Sequence, residues 1–198
     1  MSARALLPVF AGYLLGSISF AVLLVRRRTG MDIRQEGSRS AGATNVLRSH
    51  GKGLAAAVAA ADIGKGAAAV ILARLFTADP RVAAAAGLAA IVGHVFPLFY
   101  GFHGGKGVAT AVGSFLALAP LPTLVCLAVF VSIVAATRYV SLGSVVAMCL
   151  LAPVAGLLFH APAPVVAAAG GAAVLIVMKH IGNLKRLARG EERRLGSK

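Results

Sequence analysis

Apolar positions in this chain fall in long unbroken runs rather than in alternation or in narrow helical stripes. Seven runs stand out: Leu6 to Val25, Gly53 to Phe76, Val82 to Tyr100, Val108 to Ala119, Thr123 to Thr137, Leu142 to Phe159 and Val165 to Met178. A helix that is apolar on every side belongs in lipid or deep inside protein, and about 20 predominantly apolar residues cross a bilayer. The pattern therefore predicts an all-α, polytopic membrane helical bundle of about seven transmembrane helices. The run Val108 to Ala119 has only 12 residues, too few to cross unaided, so it must tilt, borrow from the preceding loop or re-enter. Asp79-Pro80, Pro120-Leu121-Pro122 and the Ala-Pro-Ala-Pro at 161–164 mark loops, because proline removes a helical donor. The first run is followed, not preceded, by Arg26, Arg27 and Arg28, which is not the charge order of a cleavable signal, and it is expected to stay as a span. Ala/Gly-rich stretches at 55–69 and 83–90 predict close helix contacts, since small residues let backbones approach in lipid.

Composition agrees with the pattern. Apolar residues make up 59% of the chain and charged ones 13%, with a mean hydropathy of +0.86, whereas soluble domains average about 45–50% and about 25%. An ordinary soluble globule is excluded. One integral membrane domain over 1–198 is expected, with a basic tail from about 179. Lys and Arg total 20 against six acids, but the basic residues flank apolar runs rather than covering one face, so a nucleic-acid partner is not expected. With seven spans, sixteen basic residues fall on the side of the first loop (Arg26 to Lys52), Lys106, Arg138 and the tail through Lys198; only Arg4, Arg74 and Arg81 fall opposite, and Lys65 lies within a span. That asymmetry predicts a cytoplasmic first loop and carboxyl terminus and an amino terminus outside. Cys126 and Cys149 lie in apolar runs and are read as core thiols.

Four polar clusters then fall on the same predicted side. The loop Asp32 to Arg48, DIRQEGSRSAGATNVLR, has glycines and hydroxyls suited to wrapping an anion with main-chain N–H groups, and Arg48 adds a planar fork for phosphate. The alternative is a loop on lipid headgroups, with Ser38, Thr44 and Asn45 capping the next helix. A second cluster sets Gly104, Gly105 and Gly107 around Lys106 ahead of another helix. It resembles a phosphate loop but lacks the spacing and the Ser/Thr of a Walker A, which disfavours nucleotide hydrolysis. His94 lies nearby within its span, where polar groups are functional by default. The third, Thr137 to Ser144, carries Arg138, Ser141 and Ser144, read either as substrate contacts or as an anchor with capping serines. In the fourth, KHIGNLKRLARGEE, His180 and Asn183 share a helical face. Asp62 and Lys65, three apart inside an apolar run, are read as a structural ion pair. The six acids offer no dyad or metal cage, so neither metal nor cofactor is expected.

Taken in order, GATNVLR, DIGKG, GHVFPLF with GFHGGKGVAT, TRYVSLGS and KHIGNLKRL with GEE resemble the bacterial acyl-phosphate-dependent glycerol-3-phosphate acyltransferase family (PlsY) over nearly the whole chain. The resemblance implies a seven-helix inner-membrane enzyme with a cytoplasm-facing site. It would move a fatty acyl group from acyl phosphate to the sn-1 hydroxyl of glycerol 3-phosphate, giving lysophosphatidic acid and phosphate, the first acylation of bacterial phospholipid synthesis. Both substrates carry phosphate, which suits a cationic, acid-poor site. Carried over residue by residue, Ser38, Arg48, Lys106, Ser141, His180 and Asn183 would contact or orient glycerol 3-phosphate, with Arg138 adding charge. Gly42, Thr44, Asn45, Gly104, Gly105 and Gly107 would cradle the acyl phosphate, and His94 would stabilise the reacting carbonyl. Phosphate already leaves well, so direct transfer without an acyl-enzyme is implied, with a histidine or a substrate phosphate oxygen taking the proton. Beyond membrane lipid and these substrates, no protein partner is required.

The family's Gly-Ser-Gly-Asn-Pro-Gly stretch stands here as Gly37-Ser38-Arg39-Ser40-Ala41-Gly42, adding a charge. An Asp follows no histidine at the H-x4-D spacing, so acyl-CoA and acyl-carrier-protein donors are not expected. A transporter for a phosphorylated solute would need inverted repeats or ionisable residues along several spans, and neither is seen. A lipid-binding scaffold would predict activity indifferent to Lys106→Ala and Arg48→Ala.

Overall fold

The structure is a computed structural model that describes residues 3–196, with side chains from Ala5 onward; Lys198, counted above, lies outside the described residues. These are helical throughout, without a strand. Among the described residues six helical stretches are long and apolar enough to cross a membrane, the first of them, Ala5–Thr29, made of two helices, and a further apolar helix, Val108–Leu118, is shorter. At 1.5 Å per residue that short helix is about 16 Å long, half the hydrocarbon thickness. The all-α polytopic expectation holds.

The chain forms two compact units, Met1–Leu118 and Ala119–Lys198. The first contains α1 (Ala3–Gly16), α2 (Phe20–Thr29), α3 (Ala43–His50), α4 (Lys52–Phe76), α5 (Pro80–Val95) and α6 (Val108–Leu118); the second contains α7 (Pro120–Thr137), α8 (Val140–Pro153) and α9 (Ala163–Ala188). In the first unit, helices touch through small residues, as the Ala/Gly stretches predicted. Gly12 and Gly16 of α1 lie against the main chain of Ala86 and Ala90 in α5, while Gly66 of α4 and Gly113 of α6 meet each other's helix backbone, so a methyl at any of these positions would collide with main chain. The lipid-sized apolar side chains point outward: Leu6, Leu7, Phe10, Leu75 and Phe76 are exposed, as are Leu121, Leu124 and Val131 in the second unit. Lipid, not protein, is their packing partner.

Three boundaries differ from the sequence reading. The first apolar run is not one helix: it breaks at Ser17-Ile18-Ser19 between α1 and α2. Ser17 donates its hydroxyl back to the Tyr13 carbonyl at 2.9 Å, a local bond that competes with helix continuation. The prolines at 120 and 122 start a helix rather than fill a loop, since proline is tolerated in a first turn; only Ala119 separates α6 from α7. The last helix does not end at Met178 but runs to Ala188, carrying His180 and Asn183 on the extension of the span itself. Cys126 is buried as expected, whereas Cys149 faces outward and is not a core thiol.

Candidate active site

In the first unit the arginine-bearing loop and the glycine-lysine turn meet. Asp32 and Arg34 form a forked ion pair, with the Arg34 Nη2 2.7 Å from the Asp32 Oδ2, and the Arg34 Nη1 donates to the Tyr100 carbonyl at 3.0 Å. Hydrogen bonding to the Arg34 guanidinium holds the Asp32 carboxyl below its usual range. Farther along, the Ala41 amide donates to the Gly104 carbonyl and the Gly105 amide to the His94 carbonyl at 3.1 Å. Gly105 is required for this approach: a Cβ there would strike the His94 Nε2 and sit 2.6 Å from the Ala41 carbonyl oxygen. Lys106 is half-buried in the turn and Arg48 half-buried on α3; Ser38 is exposed, while Gly42 and Thr44 are half-buried. Gly107, at φ 86, turns the chain into α6.

Asn45 shapes this loop from inside. Its Oδ1 accepts from the Ser38 amide at 2.9 Å, and its Nδ2 reaches the carbonyls of Ile33, Glu36 and Ser40 at 3.0 to 3.2 Å. Both amide hydrogens are thus committed to the loop. The capping alternative for Ser38, Thr44 and Asn45 does not apply, because the N-cap of α3 is Gly42 and no side chain caps it. Arg39 takes φ 58, a left-handed conformation that glycine adopts more readily.

Beneath the glycine turn lies a buried cluster. Lys65 Nζ is 2.8 Å from the Asp62 Oδ1, 2.9 Å from the His94 Nδ1 and 2.7 Å from the Ile18 carbonyl oxygen. That carbonyl lies in the break between α1 and α2. The ion pair read from sequence is present, and His94 joins it, which the sequence did not reveal. A carboxylate thus lies beside one of the residues read as part of an acid-poor site: Asp62, 1% exposed, is within 3.5 Å of His94.

The second unit holds a different cluster. Ser141 Oγ donates to Glu192 Oε1 at 2.9 Å, Asn183 Nδ2 to the same oxygen at 2.7 Å, and Arg186 Nε to Glu192 Oε2 at 2.9 Å. Glu192 was missed by the sequence reading and brings a second carboxylate onto two residues assigned to substrate. Burial pushes its carboxyl up, but the bonds from Asn183, Ser141 and Arg186 outweigh that and hold it below the ordinary glutamate range. The tail continues as a strap: the Leu195 amide donates to the Arg138 carbonyl at 2.7 Å, and Arg194 lies over the Tyr139 ring, donating to its hydroxyl. Arg138 itself is exposed at φ 62, closing α7. Ser144 returns its hydroxyl to the Val140 carbonyl, and neither serine caps α8. His180 is buried, with Nδ1 2.7 Å from the Ile176 carbonyl oxygen. A carbonyl only accepts, so the proton is on Nδ1, and in the neutral ring Nε2 carries the lone pair.

A bundle of apolar spans with polar and cationic residues gathered in its loops is a polytopic membrane protein. Comparison with known proteins gives that class its chemistry. A family model described as glycerol-3-phosphate acyltransferase matches residues 6–190. The chain is 45% identical to a glycerol-3-phosphate acyltransferase of Synechococcus sp. (strain CC9902), over all of this chain and 98% of that one. It is 47% identical to one of Halorhodospira halophila, over 96% and 95%. Its fold matches the crystal structure of PlsY (YgiH), an integral membrane glycerol 3-phosphate acyltransferase, in its glycerol 3-phosphate form, with a TM-score of 0.91, 38% identity and 97% and 96% of the two chains covered. The lysophosphatidic acid form of the same protein matches with a TM-score of 0.88 at 36% identity, over 97% and 95%. The chain belongs to the glycerol-3-phosphate acyltransferase family, as an integral membrane enzyme.

Proposed function

We propose that this enzyme acylates the sn-1 hydroxyl of glycerol 3-phosphate directly from acyl phosphate, releasing lysophosphatidic acid and phosphate, without a cofactor or an obligatory protein partner. The whole chain would act as one acyltransferase domain in the bacterial inner membrane, with the amino terminus outside and the site open to the cytoplasm. The observation that carries this reading is the junction in the first unit, where a main-chain hydrogen bond from Ala41 to Gly104 joins the loop before Arg48 to the turn around Lys106. Glycines, amides and cations gathered there favour a phosphate-bearing donor over a thioester.

On this reading Gly42, Thr44, Gly104, Gly105 and Gly107 cradle the acyl phosphate, with Asn45 holding the loop in shape. Ser38, Arg48 and Lys106 contact or orient glycerol 3-phosphate, and His94 donates to the reacting carbonyl. In the second unit Ser141, His180, Asn183 and Arg138 serve glycerol 3-phosphate. Of the two buried histidines, His180 has its proton on Nδ1, leaving the lone pair of the neutral ring on Nε2. The attack forms the new ester bond as the carbonyl–phosphate bond breaks; the electron pair leaves with phosphate and the hydroxyl proton goes to a histidine or to a substrate phosphate oxygen. Alignment and charge neutralisation supply the acceleration. Ser141 is a poor nucleophile, because the carboxylate beside it is held weakly basic by three donors.

A donor comparison with the purified enzyme tests this. Acyl phosphate should support lysophosphatidic acid formation and phosphate release that depend on glycerol 3-phosphate, while acyl-CoA and acyl-carrier protein support neither. Product from a thioester donor, with none from acyl phosphate, overturns it.

A further inference from the structure

We propose that Lys65, anchored by Asp62, is a positioning residue that fixes His94 in the tautomer with its proton on Nε2 and aims that N–H at the junction of Gly105 and Ala41. The inference rests on the reading of His94 as donor to the reacting carbonyl. Hydrogen-bond arithmetic carries it. An ammonium has donors and no acceptor, and Lys65 Nζ lies 2.7 Å from the Ile18 carbonyl oxygen and 2.9 Å from the His94 Nδ1, with the Asp62 carboxylate 2.8 Å away as its ion-pair partner. Nδ1 must therefore accept, which leaves the ring proton on Nε2. That nitrogen packs against Gly105, where even a methyl would collide with it.

Each partner is supplied by a separate feature of the fold. Asp62 and Lys65 are one helical turn apart on α4 and 1% and 5% exposed; His94 closes α5 and is 6% exposed. The Ile18 carbonyl is placed by the break between α1 and α2, and the Phe20 ring lies 5.7 Å from Nζ over the cluster. A pair serving only to glue α4 to α5 would need no imidazole, since those helices already meet through Gly87 against Val70. Fixing a tautomer through the nitrogen that does no chemistry is how a third group orients a functional histidine.

Nitrogen-15 NMR of histidine-labelled full-length enzyme in detergent micelles tests the proposal. The His94 signals are assigned among five histidines by their loss in His94→Gln. They should show an unprotonated Nδ1 and a protonated Nε2; the reverse pattern overturns the proposal without any variant needing to fold. In the double variant Asp62→Asn with Lys65→Met, which leaves no charge unpaired, the single tautomer should be lost. Its kcat should fall about ten- to a hundredfold, the effect of removing a group that orients a ligating imidazole. The KM for glycerol 3-phosphate should stay within about twofold. Unchanged kcat, or a loss confined to KM, overturns the positioning role. If His94→Gln keeps full kcat while the spectrum shows the Nε2 proton, the carbonyl-donor reading has failed and the positioning role with it, though the tautomer stands.

Discussion

The two units each bury one carboxylate, and they do it differently. Asp62 sits mid-helix in the first unit against a full cation and an imidazole, held by charge alone, since neither carboxylate oxygen has a hydrogen-bond partner among the described residues. Glu192 arrives in the second unit from outside the helices and is met by a hydroxyl, an amide and one guanidinium that is 46% exposed. The first is a charge balanced by one other charge, so loss of either partner strands the survivor. The second is a strap held by several donors, any one of which can be lost with the others still in place. The imidazoles repeat the contrast: at Nδ1 His94 faces the ammonium of Lys65, a hydrogen-bond donor, whereas His180 faces a carbonyl oxygen, an acceptor.

The largest effect should come from stranding Asp62. Lys65→Met alone should cost about 3–5 kcal/mol, the usual result of breaking a buried pair from one side, measured as thermal unfolding in detergent; a loss below about 1 kcal/mol would erase the contrast between the clusters. Next is Gly105→Ala, whose methyl displaces His94 and the Ala41 carbonyl. Activity should drop about a hundredfold, as for a misplacement near 1 Å, with about 1–3 kcal/mol of stability lost to the overpacking.

Glu192→Gln sharpens the other side of the comparison through pH. Because the folded carboxyl titrates below its ordinary 4.5, the unfolded chain binds the proton first as pH falls, and stability then rises with pH. The contribution is complete above that value and is lost as pH drops through the folded one. Wild-type unfolding curves should show that acid-side loss, and Glu192→Gln should flatten it; an equal slope in both proteins would show that the carboxylate is not charged in the strap. The smallest effect belongs to Asp32→Asn. Its pair with Arg34 is partly exposed at 18% and 29%, so a double-mutant cycle with Arg34→Gln should give about 0.2–1 kcal/mol.

Much of this was legible in the apolar runs, because a helix facing lipid on all sides leaves its length in the sequence. The break at Ser17 to Ser19 was not: Leu6 to Val25 has the length of one span, and the polar residues inside it signal a kink only once the Ser17 hydroxyl is seen returning to Tyr13. Asp62 and Lys65 were readable as neighbours from helical spacing, but His94 reaches them only because small residues bring α4 and α5 together, which is tertiary information. Glu192 is the plainest omission. It stands 51 residues from Ser141, and nothing local distinguishes it from Glu191 beside it. Asn45 was read as a cap or a ligand; that it braces a loop depended on where the carbonyls of Ile33, Glu36 and Ser40 turn.

The central claim is that the acyl group passes to glycerol 3-phosphate in one step. A rapid-quench single turnover with acyl-labelled acyl phosphate and excess enzyme follows label in lipid, in protein and phosphate in solution. Lysophosphatidic acid and phosphate should appear together at one rate with no label on protein. Phosphate release ahead of lipid, with label held on Ser38 or Ser141, would contradict the account.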